Sequence, residues 1–467
     1  MEEKNNIAKD LKEKLFLKRE NGYCRINNDE EKAIFEFAED YKKFLDIAKT
    51  EREAVAEAVR TLEANGFTEY KKGMSLKTGD KIYRNNRGKA LVAAVIGTAS
   101  ISEGVHLCAA HIDSPRLDLK QNPIYEDTDL ALFKTHYYGG IKKYQWTTIP
   151  LSLHGVIIKA DGTTVNVNIG EDENDPVFCV TDLLPHLATE QMTRTATKLI
   201  RGEDLNLLIG SIPFREDETS EAVKLNILNI LFEKYGITEA DFISSELEAV
   251  PAFKARDIGF DRSLIGGYGH DDRCCAYPAL RAAVECNSPL HTTVTILADK
   301  EETGSDGNTG LCSSYLRYFI EDIAEAMGST GRDVLSASEC LSADVNAAYD
   351  PNFPEVNERN NAAYVNKGVC ITKYTGSRGK SGTSDASAEF AGRIRRLMNR
   401  EGVIWQTGEL GKVDAGGGGT VAAYIANLDV DTIDMGVPVL SMHAPYEVIS
   451  KLDLYMAYKA FASFIAD

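Results

Sequence analysis

The stretch VHLCAAHIDSP, residues 105–115, decides the fold. It is an almost wholly apolar run that ends at His111 and Asp113 and is followed by proline. A run this short and this well bounded does not fit a long helix and is typical of a buried strand in an α/β sheet. Residues 90–97, ALVAAVIG, have the same character and predict a second strand. Polar side chains at the end of such a strand stand where open α/β sheets build their sites.

Helical and strand patterns flank this stretch on both sides. Residues 1–66 are predicted to be helical because apolar residues recur at spacings of three and four. After residue 252, strands and helices alternate. The predicted strands there are 291–299, 362–374 and 432–442, and the predicted helices are 271–287, 309–328, 384–401 and a closing helix from about 447.

The middle of the chain has a different character. Residues 114–252 contain aromatic and β-branched runs and one helical stretch, 221–236. Two of the runs are joined at Asp161-Gly162, a strong hairpin signal. We therefore predict an α/β domain, a mixed sheet flanked by helices, made of residues 1–112 and 253–467. A mostly β domain, residues 113–252, is inserted between its halves.

Composition excludes several classes of function. The 467 residues are 43% hydrophobic, which is typical of a globular protein, and 71 acidic against 52 basic residues give a formal net charge of −19. Nucleic-acid binding needs clustered lysine and arginine, so this charge argues against a nucleic-acid partner and against anionic membranes. No apolar run approaches the ~18 residues of a membrane span.

The first residues and the cysteines indicate a reducing compartment. Residues 1–16 are charged throughout and lack the apolar core of a secretory signal. The nine cysteines are an odd number and form no CxxC pair, which disfavours both a disulfide framework and a thiolate zinc site. We expect a cytoplasmic protein in which any metal is held by histidine and carboxylate.

Five short segments place histidine or carboxylate side chains at or beside predicted strand ends. They are CAAHIDSP with His111 and Asp113, YGHDDRCC with Asp271 and Asp272, ADKEETGS with Glu301 and Glu302, LSADVNA with Asp344, and SMHAP with His443. Each one alone is weak, because an acidic residue at such a place is more often a helix cap or a solvated loop residue, and Asp271 is open to the cap reading. Together they supply the residue types of a two-metal hydrolase.

Two-metal hydrolysis makes defined demands on these side chains. Metal ions about 3.5–4 Å apart need one bridging carboxylate, and a histidine with a second carboxylate on each side. A further, unligated carboxylate must take the proton of the attacking water and deliver it to the leaving amine. Glu301 and Glu302 suit this division because adjacent side chains on an extended segment diverge. Asp113, two residues after His111, is placed to orient that imidazole through its second nitrogen.

The ordered set HIDSP, HDDR, DKEETGS, SADV and MHAP resembles the dizinc exopeptidase family of aspartyl aminopeptidase and vacuolar aminopeptidase I, and it spans essentially the whole chain. The resemblance implies two divalent metal ions, zinc before cobalt or manganese, which the same ligand types accept. The implied ligands are His111, Asp271, Glu302, Asp344 and His443. In that family the first Asp of the pair bridges the metals, which implies Asp271 as the bridge and leaves Asp272 as a local structural residue. His111 and Asp344 would complete one site, Glu302 and His443 the other, and Glu301 would be the general base.

The resemblance also implies an assembly. The inserted domain would pair subunits, and the dimers would form a tetrahedral homododecamer with inward-facing active sites. A histidine in a Pro-His-Leu-Ala segment of the family's insertion helps a neighbouring active site, which here implies His186 in LLPHLATE. Read without the family, His186 would be an ordinary surface histidine.

Further residues are implied to meet the substrate. Lys373 in ITKY corresponds to a lysine that meets an acidic substrate side chain, although an exposed strand lysine is an equal reading. The run VDAGGGGTVA is similar to the family's Gly-Thr turn, which implies that Gly418, Gly419 and Thr420 approach the peptide backbone, and the two glycines permit a close approach because they carry no Cβ. A phosphate loop is disfavoured because no Lys-Ser/Thr follows the glycines.

The expected function is therefore a cytoplasmic metalloaminopeptidase that releases single N-terminal residues from peptides. A two-metal-bound hydroxide would attack the scissile carbonyl, with Glu301 as the general base. A preference for Asp or Glu stays open, because the family's Trp-Phe-Asp-Arg-Asp segment is replaced by KKYQWTTIPLSL, and because Arg116 lies near the site or pairs with an acidic neighbour. Two alternatives also stay open: a dizinc amidohydrolase of acylated amino acids, and a catalytically silent assembly or cargo protein.

Overall fold

The computed structural model describes residues 2–215 and 220–467 and has a mixed α/β fold with several sheets. The helices are Glu2–Leu15 (α1), Asn28–Ile47 (α2), Glu51–Ala64 (α3), Ala196–Leu199 (α4), Ala222–Tyr235 (α5), His270–Glu285 (α6), Tyr315–Ala326 (α7), Gly331–Ser336 (α8), Ala388–Arg400 (α9), Ala422–Ala426 (α10) and Lys451–Ala466 (α11). No helix in the described part of the chain is long and apolar enough to cross a membrane.

The strands of the described residues fall into three sheets. In the first half of the chain they are Thr68–Glu69 (β1), Lys81–Asn86 (β2), Ala90–Val95 (β3), Val105–His111 (β4), Arg116–Asp127 (β5), Leu130–Tyr138 (β6), Leu151–Ile158 (β7), Thr164–Ile169 (β8), Cys179–Val180 (β9) and Leu207–Gly210 (β10). In the second half they are Ser245–Pro251 (β11), Arg256–Ile258 (β12), Leu264–Gly267 (β13), Thr292–Ala298 (β14), Glu339–Ser342 (β15), Asn346–Ala347 (β16), Val369–Thr372 (β17), Trp405–Thr407 (β18), Asp431–Gly436 (β19), Pro438–Leu440 (β20) and Glu447–Ser450 (β21).

A nine-stranded mixed sheet in the order β1-β2-β3-β14-β4-β15-β19-β17-β18 forms the centre of the molecule. Its middle strands β14, β4, β15 and β19 are parallel to one another. Alternate residues of β4 enter different cores, so that Cys108 packs with α2, α6 and α11 on one face and Leu107 with α7 and α8 on the other. The apolar run of residues 105–111 is thus explained by burial on both sides.

Residues 116–251 form the second sheet, in which β8-β7-β11-β5-β6-β10-β9 are all antiparallel. The predicted hairpin joins β7 to β8, with Gly162 at a φ of +85° and the Asp161 side chain accepting a hydrogen bond from the Thr163 amide. A third sheet, β12-β13-β21-β20-β16, packs beside the nine-stranded sheet.

Several predicted elements were wrong in extent. Of the strand predicted at 362–374, only Val369–Thr372 forms one, and positive φ angles at Asn366 and Gly368 turn the chain before it. The closing helix begins at Lys451, because Glu447–Ser450 instead pairs with β13 and the Ser450 side chain caps the helix. The predicted strand 432–442 is divided into β19 and β20.

Candidate metal centre

Parallel strands deliver the first candidate ligands to one edge of the nine-stranded sheet. His111 is the last residue of β4, Glu301 and Glu302 follow β14, and Asp344 follows β15. Because β14, β4 and β15 run in the same direction, their carboxyl ends meet there. The turn Glu301–Thr303 is a 3-10 helix, so the expectation of an extended segment at this glutamate pair was wrong.

Asp271 lies between the two histidines. Its Oδ1 is 3.2 Å from His111 Nε2, and its Oδ2 is 3.2 Å from His443 Nε2. The residue opens α6 with non-helical backbone angles, and its amide donates a hydrogen bond to Glu447. The Asp271 side chain therefore contacts two histidines and does not cap helix α6.

The two remaining candidate ligands, Asp344 and Glu302, and the candidate base Glu301 lie near the two histidines. Asp344 Oδ1 is 4.0 Å and Glu301 Oε2 is 3.9 Å from His111 Nε2, whereas Glu302 Oε2 is 3.5 Å from His443 Nε2. Oε1 of Glu302 is buried and has no hydrogen-bond partner among the described residues. Histidine nitrogens and carboxylate oxygens are the donors that zinc takes in catalytic sites, so this donor set fits the metal.

Burial of so many acidic groups changes their protonation. Burial raises the pKa of Glu301 to about 7, and burial together with the facing Asp271 carboxylate raises the pKa of Glu302 well above its usual value. Burial acts to lower the pKa of His443, but the hydrogen bond to Asp271 and the charges of Glu302 and Asp271 together outweigh it and raise the pKa to about 11. The raised pKa values mean that bound protons reduce the repulsion among the buried carboxylates. A bound metal cation would displace these protons.

Asp113 connects the His111 side of the centre to the glutamate turn. Its Oδ1 is 3.3 Å from His111 Nδ1, and its carboxylate also accepts hydrogen bonds from the amides of Glu301 and Glu302, at 3.1 and 3.2 Å. A carboxylate in this position orients the imidazole so that Nε2 faces the ligand cluster. The backbone carbonyl oxygen of Asp113 also faces His111 Nδ1, at 3.0 Å, and the orienting role of Asp113 stays a prediction.

Sequence reasoning missed three outer partners. Glu447 accepts hydrogen bonds from the amides of Asp271 and His443, Tyr138 donates one to Asp113, and the Gly140 carbonyl accepts one from His443 Nδ1 at 2.8 Å. Three of these four hydrogen bonds involve a backbone group, which leaves no mark on residue type. The glycine pair that follows Tyr138 is the one sequence feature that could have indicated a close approach of the backbone to other residues.

Asp272 and Arg116 have local partners. The Asp272 carboxylate accepts a hydrogen bond from the His111 amide, in keeping with a structural role. Arg116 is buried among Glu51, Asp118 and Glu248, with nitrogen–oxygen distances of 3.2, 2.8 and 3.3 Å. Two interpretations of Arg116 were open, and in the structure Arg116 pairs with acidic neighbours.

The other candidate residues have hydrogen-bond or ion-pair partners outside the proposed ligand set, or are exposed. His186 is on the exposed turn Pro185–Leu187. Lys373 lies 2.7 Å from Asp385 and lines a cavity of about 880 Å³. Gly418 accepts a hydrogen bond from the Gly376 amide, and Thr420 donates one to the buried Asp434. A Cβ on Gly419 would have open space around it.

Comparison with known proteins matches the sequence of this chain to a family. Residues 44–465 match the model of the M18 peptidases, described as aminopeptidase I zinc metalloprotease. The chain belongs to this family. The resemblance drawn from the sequence motifs is confirmed, and with it the assignment of the chain to the zinc aminopeptidases, which are hydrolases.

Individual M18 relatives are similar over almost the whole chain. A probable M18 family aminopeptidase 1 of Clostridium acetobutylicum is 52% identical, over 97% of this chain and 99% of the relative. A crystal structure of an M18 aminopeptidase from Thermotoga maritima has a TM-score of 0.92 at 46% identity, covering 96% of this chain and 99% of that one. The mApe1 dodecamer of S. cerevisiae has a TM-score of 0.74 at 21% identity, covering 91% and 95%, and shares the fold.

Proposed function

We propose that this chain is a two-metal aminopeptidase that releases single N-terminal residues from peptides. The observation that carries the proposal is the position of Asp271, whose two oxygens each lie 3.2 Å from a different histidine. A carboxylate that faces two histidines at once is what a bridging ligand requires. The M18 relatives, named as aminopeptidases, agree with it.

The ligands divide into two sets around Asp271. His111 and Asp344 would hold one zinc ion, and Glu302 and His443 would hold the other. When bound, the ions would lower the pKa of a water molecule and polarise the scissile carbonyl. His111 and His443 each carry an outer hydrogen-bond acceptor on Nδ1, at Asp113 and Gly140, so both rings present Nε2 to the ligand cluster.

Glu301 is the proposed general base. It lies on the side of His111, Oε2 to Nε2 3.9 Å, and its amide is held by Asp113 Oδ1. Burial raises its pKa to about 7, close to the range in which a group takes and returns protons efficiently at neutral pH. Glu301 would take the proton of the attacking water and deliver it to the amine of the leaving peptide.

The excess of carboxylates favours substrates with a free N-terminus. A peptide α-amino group is a cation near neutral pH, and the buried carboxylates of the centre attract it, whereas an acylated amine carries no charge. Selection of exopeptidase substrates is therefore electrostatic, and the amidohydrolase alternative lacks this attraction.

We further propose that the enzyme does not require an acidic N-terminal residue. Lys373 is paired with Asp385 at 2.7 Å, and Arg116 is buried among three carboxylates. Neither cation is free to receive a substrate carboxylate without first losing its partner. Neutral N-terminal residues are thus accepted at least as well as Asp or Glu.

The sheet of residues 116–251 supports a proposal about assembly. We propose that residues 113–252 form an inserted oligomerisation domain that pairs subunits, and that six such dimers make a tetrahedral dodecamer, by analogy with the mApe1 dodecamer. Large apolar side chains exposed in this segment include Leu183, Leu184, Leu187, Met192, Ile230 and Phe232. His186 lies within this surface and would reach the centre of a neighbouring subunit, while Gly418, Gly419 and Thr420 would approach the substrate backbone.

Nine free thiols agree with a cytoplasmic location.

A paired substrate panel tests the function. The zinc-loaded wild type is assayed with aminoacyl-nitroanilides carrying acidic and neutral residues, and with the matching N-acetylated compounds. Hydrolysis of the free-amine series alone is expected, with Leu at least as good as Asp. Turnover of the acetylated series would favour the amidohydrolase, and no turnover of either series at full zinc occupancy would favour the silent assembly protein.

A further inference from the structure

The segment Tyr138-Gly139-Gly140, at the end of β6, lies against both halves of the proposed metal centre. It belongs to the antiparallel sheet of residues 116–251, whereas His111 belongs to the nine-stranded sheet and His443 to the loop before β21. A Cβ built on Gly139 would lie 3.3 Å from Glu302 Oε2, and one on Gly140 would lie 3.3 Å from His443 Nδ1. The backbone here thus touches ligand side chains directly.

Tyr138 acts on the His111 side through Asp113. Its hydroxyl donates a hydrogen bond of 2.7 Å to Asp113 Oδ2. That oxygen also accepts from the Glu302 amide at 3.2 Å, and Oδ1 accepts from the Glu301 amide and lies 3.3 Å from His111 Nδ1. The tyrosine thereby fixes the carboxylate that orients one ligand histidine and holds the turn of the proposed base.

Gly140 acts on the His443 side through its carbonyl. The carbonyl oxygen accepts a hydrogen bond of 2.8 Å from His443 Nδ1. Once Nδ1 carries the proton, Nε2 is left free to bind a metal and faces Asp271 Oδ2 at 3.2 Å. One short segment thus contacts both sides of the centre. Gly140 bonds the His443 imidazole directly, and Tyr138 bonds the Asp113 carboxylate that lies 3.3 Å from His111 Nδ1, beside the Asp113 carbonyl oxygen at 3.0 Å.

The segment is itself rigidly supported. The guanidinium carbon of Arg116 lies 4.0 Å from the centre of the Tyr138 ring, a cation–π contact. Arg116 is fixed in turn by Glu51 at the start of α3 and by Glu248 on β11. Tyr138 is thus anchored both to its own sheet and to the helix that covers the nine-stranded sheet.

We propose that Tyr138 and Gly140 are positioning residues through which the antiparallel sheet sets the zinc affinity of the centre. The inference rests on the metal site proposed above. Loss of such outer hydrogen bonds typically lowers metal affinity or activity 10- to 100-fold. The same contacts make the geometry of the centre depend on a sheet that contributes none of the proposed metal ligands.

Tyr138→Phe tests the first contact. It removes the hydroxyl and keeps the ring against Arg116. Zinc affinity, measured by competition with a chelator of known affinity, is expected to fall about 10-fold or more. The melting temperature of the metal-free protein should stay within about 2 °C, and kcat at saturating zinc should fall while KM changes less than about twofold. Tyr137→Phe is the matched control, since that ring is 38% exposed and stacks on His136.

Gly140→Ala tests the second contact independently. The added Cβ would crowd His443 Nδ1 at 3.3 Å, and zinc affinity is expected to fall at least about 10-fold. Gly379→Ala is the control, because a Cβ there meets nothing within 4 Å. Wild-type zinc affinity in both Tyr138→Phe and Gly140→Ala would overturn the proposal. A wild type that binds zinc but cleaves no peptide would overturn the proposed function alone, because the affinity comparison would still decide the positioning roles.

Discussion

Asp271 Oδ2 lies 3.2 Å from His443 Nε2, and through this contact Asp271 connects ligands that come from two separate sheets. His443 lies between β20 and β21 of the five-stranded sheet, while the other oxygen of Asp271 faces His111 at the end of β4 in the nine-stranded sheet. One carboxylate thus spans the two histidines that no strand pairing brings together. Changes at Asp271 are therefore expected to affect both proposed metal positions at once.

Asp271→Asn is expected to reduce bound zinc from about two ions to one or fewer per chain and kcat/KM by more than about 100-fold. A carboxamide keeps the shape of the side chain but offers one weak oxygen ligand instead of two. Metal content after gel filtration and peptide hydrolysis are the measurements. Asp261→Asn is the matched control, since that carboxylate lies on an exposed turn, bonds the Ser263 amide and should leave zinc content unchanged. Equal zinc content in Asp271→Asn and the wild type would rule out the bridging role.

The adjacent glutamates are expected to separate into two phenotypes. Glu301→Gln should lower kcat by about 10²–10⁴-fold with zinc content intact, because it removes the proton acceptor and leaves the proposed ligands in place. Glu302→Gln should instead lose zinc, because the Glu302 carboxylate faces His443 at 3.5 Å. Zinc content and kcat measured on both variants decide the assignment. A fully active Glu301→Gln enzyme would remove Glu301 from the mechanism.

The sequence predicted the strands and helices whose patterns are local. Ala90–Val95 and Val105–His111 were recognisable because burial on both faces demands a short apolar run. Glu447–Ser450 was assigned to a helix because its strand character depends on pairing with Leu264–Gly267, almost 200 residues away in the chain. Such distant pairings have no local signature.

The candidate ligands were predictable for a different reason. Histidine and carboxylate at strand ends, such as His111 and Asp344, carry their chemistry in the residue type. The contacts that orient these ligands cannot be recognised from residue type. The Gly140 carbonyl is a backbone group, and Tyr138 contacts Asp113 only because two sheets pack together. Residue type therefore reveals ligands, whereas the partners of ligands require the fold.

Zinc binding is expected to release protons. Hydrogen bonds to carboxylates and the nearby carboxylate charges raise the pKa of His443 to about 11 and that of His111 well above its usual value despite burial, so we expect both rings to hold protons more tightly than a free imidazole in the metal-free protein. Zinc binds the neutral ring, so about two or more protons per chain should leave. Calorimetry in buffers of different ionisation enthalpy measures this number. A binding enthalpy independent of the buffer would contradict the prediction.

Stability of the protein is expected to decrease with rising pH through a carboxyl outside the ligand set. Burial raises the pKa of Asp434, which accepts a hydrogen bond from Thr420, to about 7. Between the unfolded pKa near 3.9 and this value the folded state holds the extra proton, so the free energy of unfolding falls as pH rises. Asp434→Asn is neutral at every pH. From pH 5 to pH 8 the variant should therefore gain roughly 2–3 kcal/mol relative to the wild type, at about 1.4 kcal/mol per pKa unit.

Urea denaturation of the wild type and Asp434→Asn at both pH values checks this difference. The comparison cancels the titration of the metal-site residues that Asp434 does not touch, whereas the pKa of Asp344, which the Asp434 carboxylate helps to raise, changes with the variant. Asp431→Asn, at the exposed start of the same strand, controls for the loss of one negative charge. If the difference in free energy of unfolding between wild type and Asp434→Asn is the same at pH 5 and pH 8, the buried carboxyl does not titrate in this range. Its hydrogen bond with Thr420 would then be made by a carboxylate even at the lower pH.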